Sequence, residues 1–358
     1  MDATTYGVDI AKNVFQLHWL EAETGKIRRR KLSRAKFAEF FAQRQPGRIA
    51  MEACAGAHHW GRTFAAQGHQ VELLPANWVK SFVIGNKDDA ADAEAIWEAA
   101  SRPRIRRVPV KTVDQQALQA AHRVRSQWMC TRTAIINNLR GLLYEFGVTL
   151  PQGKQSGLKA LALHRADIDA QVPALMSRLL DLELTMVHKL NETIEAIEHE
   201  LEAVQKSLPV TQQLREVRGI GLLTATALTA TLGDGSGWRN ARQFACCMGL
   251  TPSHTGTGGK VRMGAISKKG DPYIRTLLVG CANSLLNAGK IDPWIEQLLL
   301  RRPRNVVVVA IANKLARTAW ALVAHGRRYD PAWRSQAPQP SSRARGAGKE
   351  PALMMANG

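Results

Sequence analysis

Between residues 5 and 74, five short runs rich in β-branched and aromatic residues alternate with two helical stretches, and this order constrains the fold more than any other feature. Tyr6–Ile10 reads as a strand, Val14–Leu20 alternates and makes a second, Thr24-Gly25 supplies a turn, and Ile27–Leu32 a third. Arg34–Gln43 is helical, Arg48–Glu52 is the fourth strand, Trp60–Gln67 a helix and Gln70–Leu74 the fifth strand. Three strands in a meander, followed by alternating helices and strands, predict an α/β domain whose sheet is covered by helices.

Four acidic residues stand out against this pattern. Asp9 lies inside the first strand, and Glu52 ends the fourth, just before a Gly/Ala-containing turn. Asp89 and Asp92 open a helix in Lys87-Asp-Asp-Ala-Ala-Asp-Ala-Glu94, and their spacing of three puts both on one helical face. A carboxylate at the end of an apolar strand is costly unless something neutralises it. A hard divalent cation is the usual answer, and paired Mg2+ ions held by carboxylates cut or join phosphodiesters. Asp89 and Asp92 also fit a plain N-terminal helix turn that favours negative charge, as Asp88 does. That reading leaves Asp9 unexplained, so a metal site is favoured.

The remainder of the chain is strongly basic: 49 Lys and Arg against 30 Asp and Glu give a formal charge of +19 over 358 residues. Such an excess points to a polyanionic partner, and the length allows two or three domains. The five cysteines (Cys54, Cys130, Cys246, Cys247, Cys281) form no C-x-x-C pair, which suggests a reducing compartment. Met1-Asp-Ala-Thr-Thr lacks the features of a signal peptide, and the apolar run Asn305–Ala312 is too short for a bilayer. The expectation is a cytoplasmic protein that acts on nucleic acid.

Residues 112–147 read as a helix carrying Arg123, Arg125, Arg132 and Arg140, and a break follows at Pro151–Gly157. Apolar residues then recur at Met176, Leu180, Val187, Leu190, Ile194, Ile197, Leu201, Val204 and Leu208, broken where Glu183 takes a core slot. This 3-4 spacing favours a coiled coil, either a dimer seam or an antiparallel hairpin with residues 112–147, over one helix packed on its own domain. Residues 209–334 form a mostly helical C-terminal unit, and the Ala/Pro/Ser/Arg-rich tail 335–358 is expected to be disordered. The domain boundaries are therefore set at 1–150, 151–208, 209–334 and 335–358.

Two glycine-containing segments can meet phosphate. Val217-Arg218-Gly219-Ile-Gly221 lies between two helical stretches like the turn of a helix-hairpin-helix, which grips DNA backbone without reading bases. A tight interhelical turn is the plainer alternative. Gly249–Asp271 gathers Thr255, Thr257, Lys260, Arg262, Ser267, Lys268 and Lys269 among glycines. Such a loop cradles phosphate, and a hydroxyl in it can attack phosphorus. It is not a P-loop, because Val261 follows the lysine. From the residues alone, a mobile basic loop that only binds phosphate is preferred. His58-His59 is read as a surface or substrate contact, and Trp60, Trp78 and Trp97 as core.

The strand order resembles that of ribonuclease-H-like domains. Taken together, Gly7-Val-Asp-Ile-Ala-Lys12, Met51-Glu-Ala-Cys-Ala-Gly56, Lys87–Ala93, Val217–Gly221 and Gly258-Gly-Lys260 with Ile266-Ser-Lys-Lys-Gly270 resemble the DEDD transposases of the insertion-sequence 110 family, closest to its 1111 subgroup. The resemblance spans roughly residues 5–330. It implies a RuvC-like nuclease domain, a helical coiled-coil linker, a C-terminal transposase domain and a homo-oligomer, dimer or tetramer. It also implies recombination of donor and target DNA guided by a structured non-coding bridge RNA. The family's four metal-binding acids carry over to Asp9, Glu52, Asp89 and Asp92, holding Mg2+ or Mn2+. The family's nucleophilic serine aligns with Thr257, with Ser253 and Thr255 as neighbouring alternatives. Arg218, Gly219, Gly221, Lys260, Arg262, Lys268 and Lys269 are expected to contact nucleic acid. The competing readings are a RuvC-like endonuclease that cuts branched DNA without rejoining it, and a non-catalytic basic DNA-binding protein.

Overall fold

The computed structural model describes residues 4–83, 89–257, 260–289 and 291–331. The tail from Ser335 expected to be disordered lies outside the described residues.

The N-terminal sheet follows the expected strand order. Strands β1 (Thr5–Ile10), β2 (Val14–Leu20) and β3 (Ile27–Ser33) form an antiparallel meander. Strands β4 (Arg48–Glu52) and β5 (Gln70–Leu74) extend it parallel to β1, in the order β3-β2-β1-β4-β5. Alternation along the strands sends Tyr6, Val8, Phe15, Leu17, Ile49 and Met51 into one core with Phe37, Phe41, Trp60 and Phe64 of α1 (Arg34–Ala42) and α2 (Ala57–Ala66). The alternate positions Gly7, Asp9, Ala50 and Glu52 face the other way. There, after α3 (Ala76–Val79), α4 (Asp89–Ala100) closes a second core with Ala50, Leu74 and Val79. Edge strand β3 exposes Arg28, Arg29, Arg30 and Lys31, charges that discourage pairing with another sheet. Trp60 is core as expected, but Trp78 is 51% exposed because short α3 carries it on its outer side, and Trp97 is half-buried.

The heptad pattern resolves into a hairpin within one chain. Helix α5 (Val113–Glu145) starts at a capping box between Thr112 and Gln115, and after α6 (Lys154–Leu163) and α7 (Arg165–Gln171) the chain returns along α8 (Ala174–Ser207). The pairing is antiparallel: Leu118 clusters with Leu201, Arg125 bonds Glu198 at 2.7 Å, Arg132 bonds Asn191 at 2.8 Å, and Leu139 clusters with Met176 and Leu180. Met176, Leu180, Val187, Leu190, Ile194 and Leu201 are buried in this seam.

The C-terminal region packs α9 (Pro209–Arg215), α10 (Leu222–Leu232), α11 (Ala241–Cys247), α12 (Pro272–Asn287), α13 (Pro293–Leu299) and α14 (Arg304–His325). The apolar run judged too short for a bilayer begins α14, a 22-residue helix long and apolar enough to cross one by length and composition. Its Val307, Val308, Ile311, Leu315, Ala319 and Trp320 are instead buried in the C-terminal core. The segment read as a mobile loop forms two paired strands, β6 (Pro252–Thr257) and β7 (Lys260–Ile266). The Gly258-Gly259 pair between Thr257 and Lys260 is a hairpin signal that a phosphate-loop reading overlooks.

A buried histidine ties the helical arm to this region. The Thr226 hydroxyl donates to the Leu222 carbonyl at 2.8 Å, so its oxygen accepts from His122 Nε2–H at 3.0 Å. His122 Nδ1 then accepts from the Tyr273 hydroxyl at 2.9 Å. Burial, helped by Arg125, lowers the His122 pKa from 6.5 to about 4. The unfolded chain therefore binds more protons than the folded one between those values, and stability falls as pH drops through that window. We expect His122 to account for about 3 kcal/mol of acid destabilisation. Urea melts from pH 7 to 4 should show a flatter acid limb for His122→Gln than for the wild type.

Candidate active site

Asp9 and Glu52 come to the same end of the sheet because β1 and β4 are parallel neighbours. Register pairs Val8 with Met51, so the two carboxylates stand at adjacent C-terminal strand ends on the face covered by α4. Ligands bind open α/β sheets at such ends. Helix α4 runs against the strand direction: the Arg48 guanidinium, at the start of β4, bonds the Ala100 carbonyl at the end of α4. The N-terminus of α4, with Asp89 and Asp92, therefore lies over the strand ends.

Close approach of α4 depends on Gly7. A Cβ there would collide with the Ala93 carbonyl and lie 2.6 Å from both Trp97 N and Trp97 Cβ. The many alanines of α4 serve the same purpose. The Arg29–Glu94 ion pair at 2.7 Å and the Trp97–His18 ring contact, with centroids 5.4 Å apart, hold the helix across β2 and β3.

The electrostatics are those of crowded acids. Burial pushes the Glu52 carboxyl above the usual range, and the charge of Asp92 adds to this. Burial also raises the Cys54 thiol, with Glu52 and Asp9 contributing. Asp9 has an interaction partner of its own. The Asp89 side chain lies outside the described residues. Among those that are described, no three potential ligands are close enough to hold one metal ion. Asp9 and Glu52 at the adjacent strand ends, and Asp92, whose charge acts on Glu52, offer only carboxylate oxygens, which suit a hard divalent cation. A cation would also relieve the penalty on Glu52.

That penalty gives a testable sign. A carboxyl raised in the folded state contributes stability below its unfolded pKa and loses it as pH rises through the folded value. At neutral pH ionised Glu52 is therefore a cost to the metal-free chain. Glu52→Gln is expected to raise its melting temperature by about 2 °C in EDTA, and any rise on adding Mg2+ should be smaller in the variant than in the wild type. Calorimetry with and without Mg2+ measures both.

The hydroxyl-bearing hairpin lies elsewhere in the chain. Thr257 pairs with Lys260 and Thr255 with Arg262, so hydroxyls and cations share one exposed face of β6–β7. Ser253 lies on the same strand, but its hydroxyl donates to the Ala265 carbonyl at 3.0 Å. Lys268 and Lys269 are exposed just beyond, and Lys268 adopts φ 52° where this segment packs on Gly249. Arg218 is exposed, and Gly219, at φ 91°, approaches Leu285 of α12, a packing reason for the glycine. Gly221 precedes the N-terminus of α10 with open space beside it. His58, read with His59 as a surface or substrate contact, is half-buried and accepts from the Lys111 backbone N–H at 3.2 Å, and burial lowers its pKa to about 4; His59 is exposed.

Comparison with known proteins accounts for both regions. Residues 6–148 match a DEDD transposase family model of the IS110 type, and residues 211–298 match the transposase model of the IS116/IS110/IS902 family. A probable family 20 transposase of Pseudomonas aeruginosa is 43% identical over 337 residues, covering 92% of this chain and all of its own length. The transposase of insertion sequence element IS1328 from Yersinia enterocolitica is 39% identical, covering 91% of this chain and 98% of its own. That of IS1111A from Coxiella burnetii is 39% identical, covering 92% of each. A chain with these two matched regions is a transposase, an enzyme that recombines DNA. It belongs to the IS116/IS110/IS902 family.

Proposed function

We propose that the chain cleaves and rejoins DNA strands through a divalent-metal site on a RuvC-like sheet together with a threonine nucleophile on the β6–β7 hairpin. The observation that supports this most is the convergence of Asp9, Glu52 and the N-terminus of α4 at parallel strand ends. Asp9, Glu52, Asp89 and Asp92 hold Mg2+ or Mn2+. The cation, when bound, neutralises charge on the scissile phosphate.

The Thr257 hydroxyl oxygen bonds to phosphorus, one phosphate ester bond of the DNA breaks, and the departing oxygen takes up a proton. Attack by a DNA hydroxyl on the threonine phosphoester reverses the step and joins strands. Lys260 and Arg262, on the same face as Thr257 and Thr255, neutralise the charge that develops. Arg218, Gly219 and Gly221, in the turn before α10, hold DNA backbone as a helix-hairpin-helix does, and Lys268 and Lys269 add charge.

The family resemblance extends the reading to a cytoplasmic homo-oligomer guided by a structured non-coding RNA. In the assembly, the acids of one subunit act with the hydroxyl of another. A cellular assay with donor and target plasmids tests this. We expect junction product from the wild type and a loss of about 1,000-fold or more in Asp9→Ala. A mixture of Asp9→Ala and Thr257→Ala chains should recover part of the product. Full activity of Asp9→Ala would overturn the metal site, and a mixture that never recovers would overturn the shared one.

A further inference from the structure

We propose that the cleft between residues 103–109 and 236–243 binds the sugar-phosphate backbone of duplex DNA, at a site separate from the carboxylate centre. The cleft has a volume of about 780 Å³ and is lined by Arg104, Arg106, Arg107 and Arg239, with no carboxylate among its lining residues. It forms where the segment leaving the sheet meets the loop after α10. Gly237 allows that meeting, since a Cβ there would run into the Pro109 ring.

The four arginines divide into two pairs. Arg107 is anchored to Glu72 at 2.5 Å, to the Ile105 carbonyl at 2.8 Å and to the Ala100 carbonyl at 2.7 Å. Arg106 donates to the Gly237 carbonyl at 2.9 Å and stacks 5.1 Å from the centre of the Trp238 ring. These two fix the walls and keep them positive. Arg104 and Arg239 are exposed, and among the described residues neither guanidinium has a side-chain partner.

The neighbouring acids are already engaged. Glu72 pairs with Arg48 at 3.0 Å as well as with Arg107. Asp234 accepts from the Ser236 backbone N–H at 2.9 Å and from its hydroxyl at 2.6 Å. Two anchored and two available guanidinium groups suit successive phosphates, which arginine grips with paired N–H donors. The assignment to DNA rests on the chain being a transposase, and it is independent of the metal and of Thr257.

The test uses the full chain in EDTA with a 30-bp random-sequence duplex, measuring affinity by fluorescence anisotropy across a salt series. Arg104→Gln/Arg239→Gln is expected to reduce the slope of log K against log salt by about 1.8, the effect of two lost phosphate contacts, and to weaken binding about tenfold or more. Arg104→Lys/Arg239→Lys should keep the slope. An unchanged slope in the glutamine pair overturns the proposal. So does equal loss in the lysine pair with a lowered melting temperature, which would mark a structural role. A slope change for structured RNA of equal length but not for the duplex overturns the assignment to DNA. A reduced duplex slope in a protein that yields no recombinant junction leaves the cleft standing and removes the recombinase mechanism.

Discussion

Replacing Thr257 by alanine is expected to abolish recombinant junctions, a loss of about 1,000-fold or more, while Thr257→Ser retains them. Serine keeps the hydroxyl and relaxes the β-branched restriction on χ1, so its rate should equal or exceed that of the wild type. Thr257 is exposed at the end of β6, opposite Lys260, where DNA can reach it. Ser253→Ala should stay active, because the Ser253 hydroxyl is already committed to the Ala265 carbonyl. Thr255→Ala decides between the two exposed threonines of β6. The readout is junction frequency, together with protein–DNA adduct on a denaturing gel. Junctions from Thr257→Ala would transfer the nucleophile to another residue.

Gly7→Val is expected to destabilise the N-terminal sheet by about 3 kcal/mol and to remove DNA recombination with it. The obstructing atoms at Gly7 are the Ala93 carbonyl and the Trp97 backbone nitrogen, which cannot rotate away as a long side chain can. Helix α4 must therefore lift off β1, taking Asp92 away from Glu52. Urea melts and recombination assays on the same preparation should change together. Gly7→Ala should act in the same direction with a smaller effect. A valine variant with normal stability would mean that α4 is not seated on Gly7.

The strands of the sheet were legible because each one alternates on a short, bounded run. Val14–Leu20 and Arg48–Glu52 have the same bounds in the sequence reading and in the structure. That strand order is also what carries Asp9 and Glu52 to neighbouring strand ends. The supports of α4 were harder to see. Gly7 reads as an ordinary strand glycine until the helix above it is known, although the run of alanines between Asp89 and Ala100 was a signal of close packing. Heptad spacing in Met176–Leu208 showed that a partner helix was needed without saying which. The return path through α6 and α7 supplies α5 of the same chain. Thr255 and Thr257 were legible as hydroxyls near cations. Their common face appears only once β6 and β7 pair, because a loop reading has no register. Trp78 was misread because residue type alone does not say which side of a four-residue helix faces inward.

The hairpin of α5 and α8 leaves and rejoins the body of the protein at one end. Leu118, near the start of α5, Leu201, near the end of α8, and Ala230 of α10 are buried in one cluster. With 33 residues in α5, the arm reaches about 50 Å from that root. It is therefore a boom rather than a spacer. Its length can vary, by whole heptads taken from both rods, without changing the separation of the two regions it springs from. Reach of the tip and geometry at the root are thus separate variables, and selection can tune one while the other stays fixed.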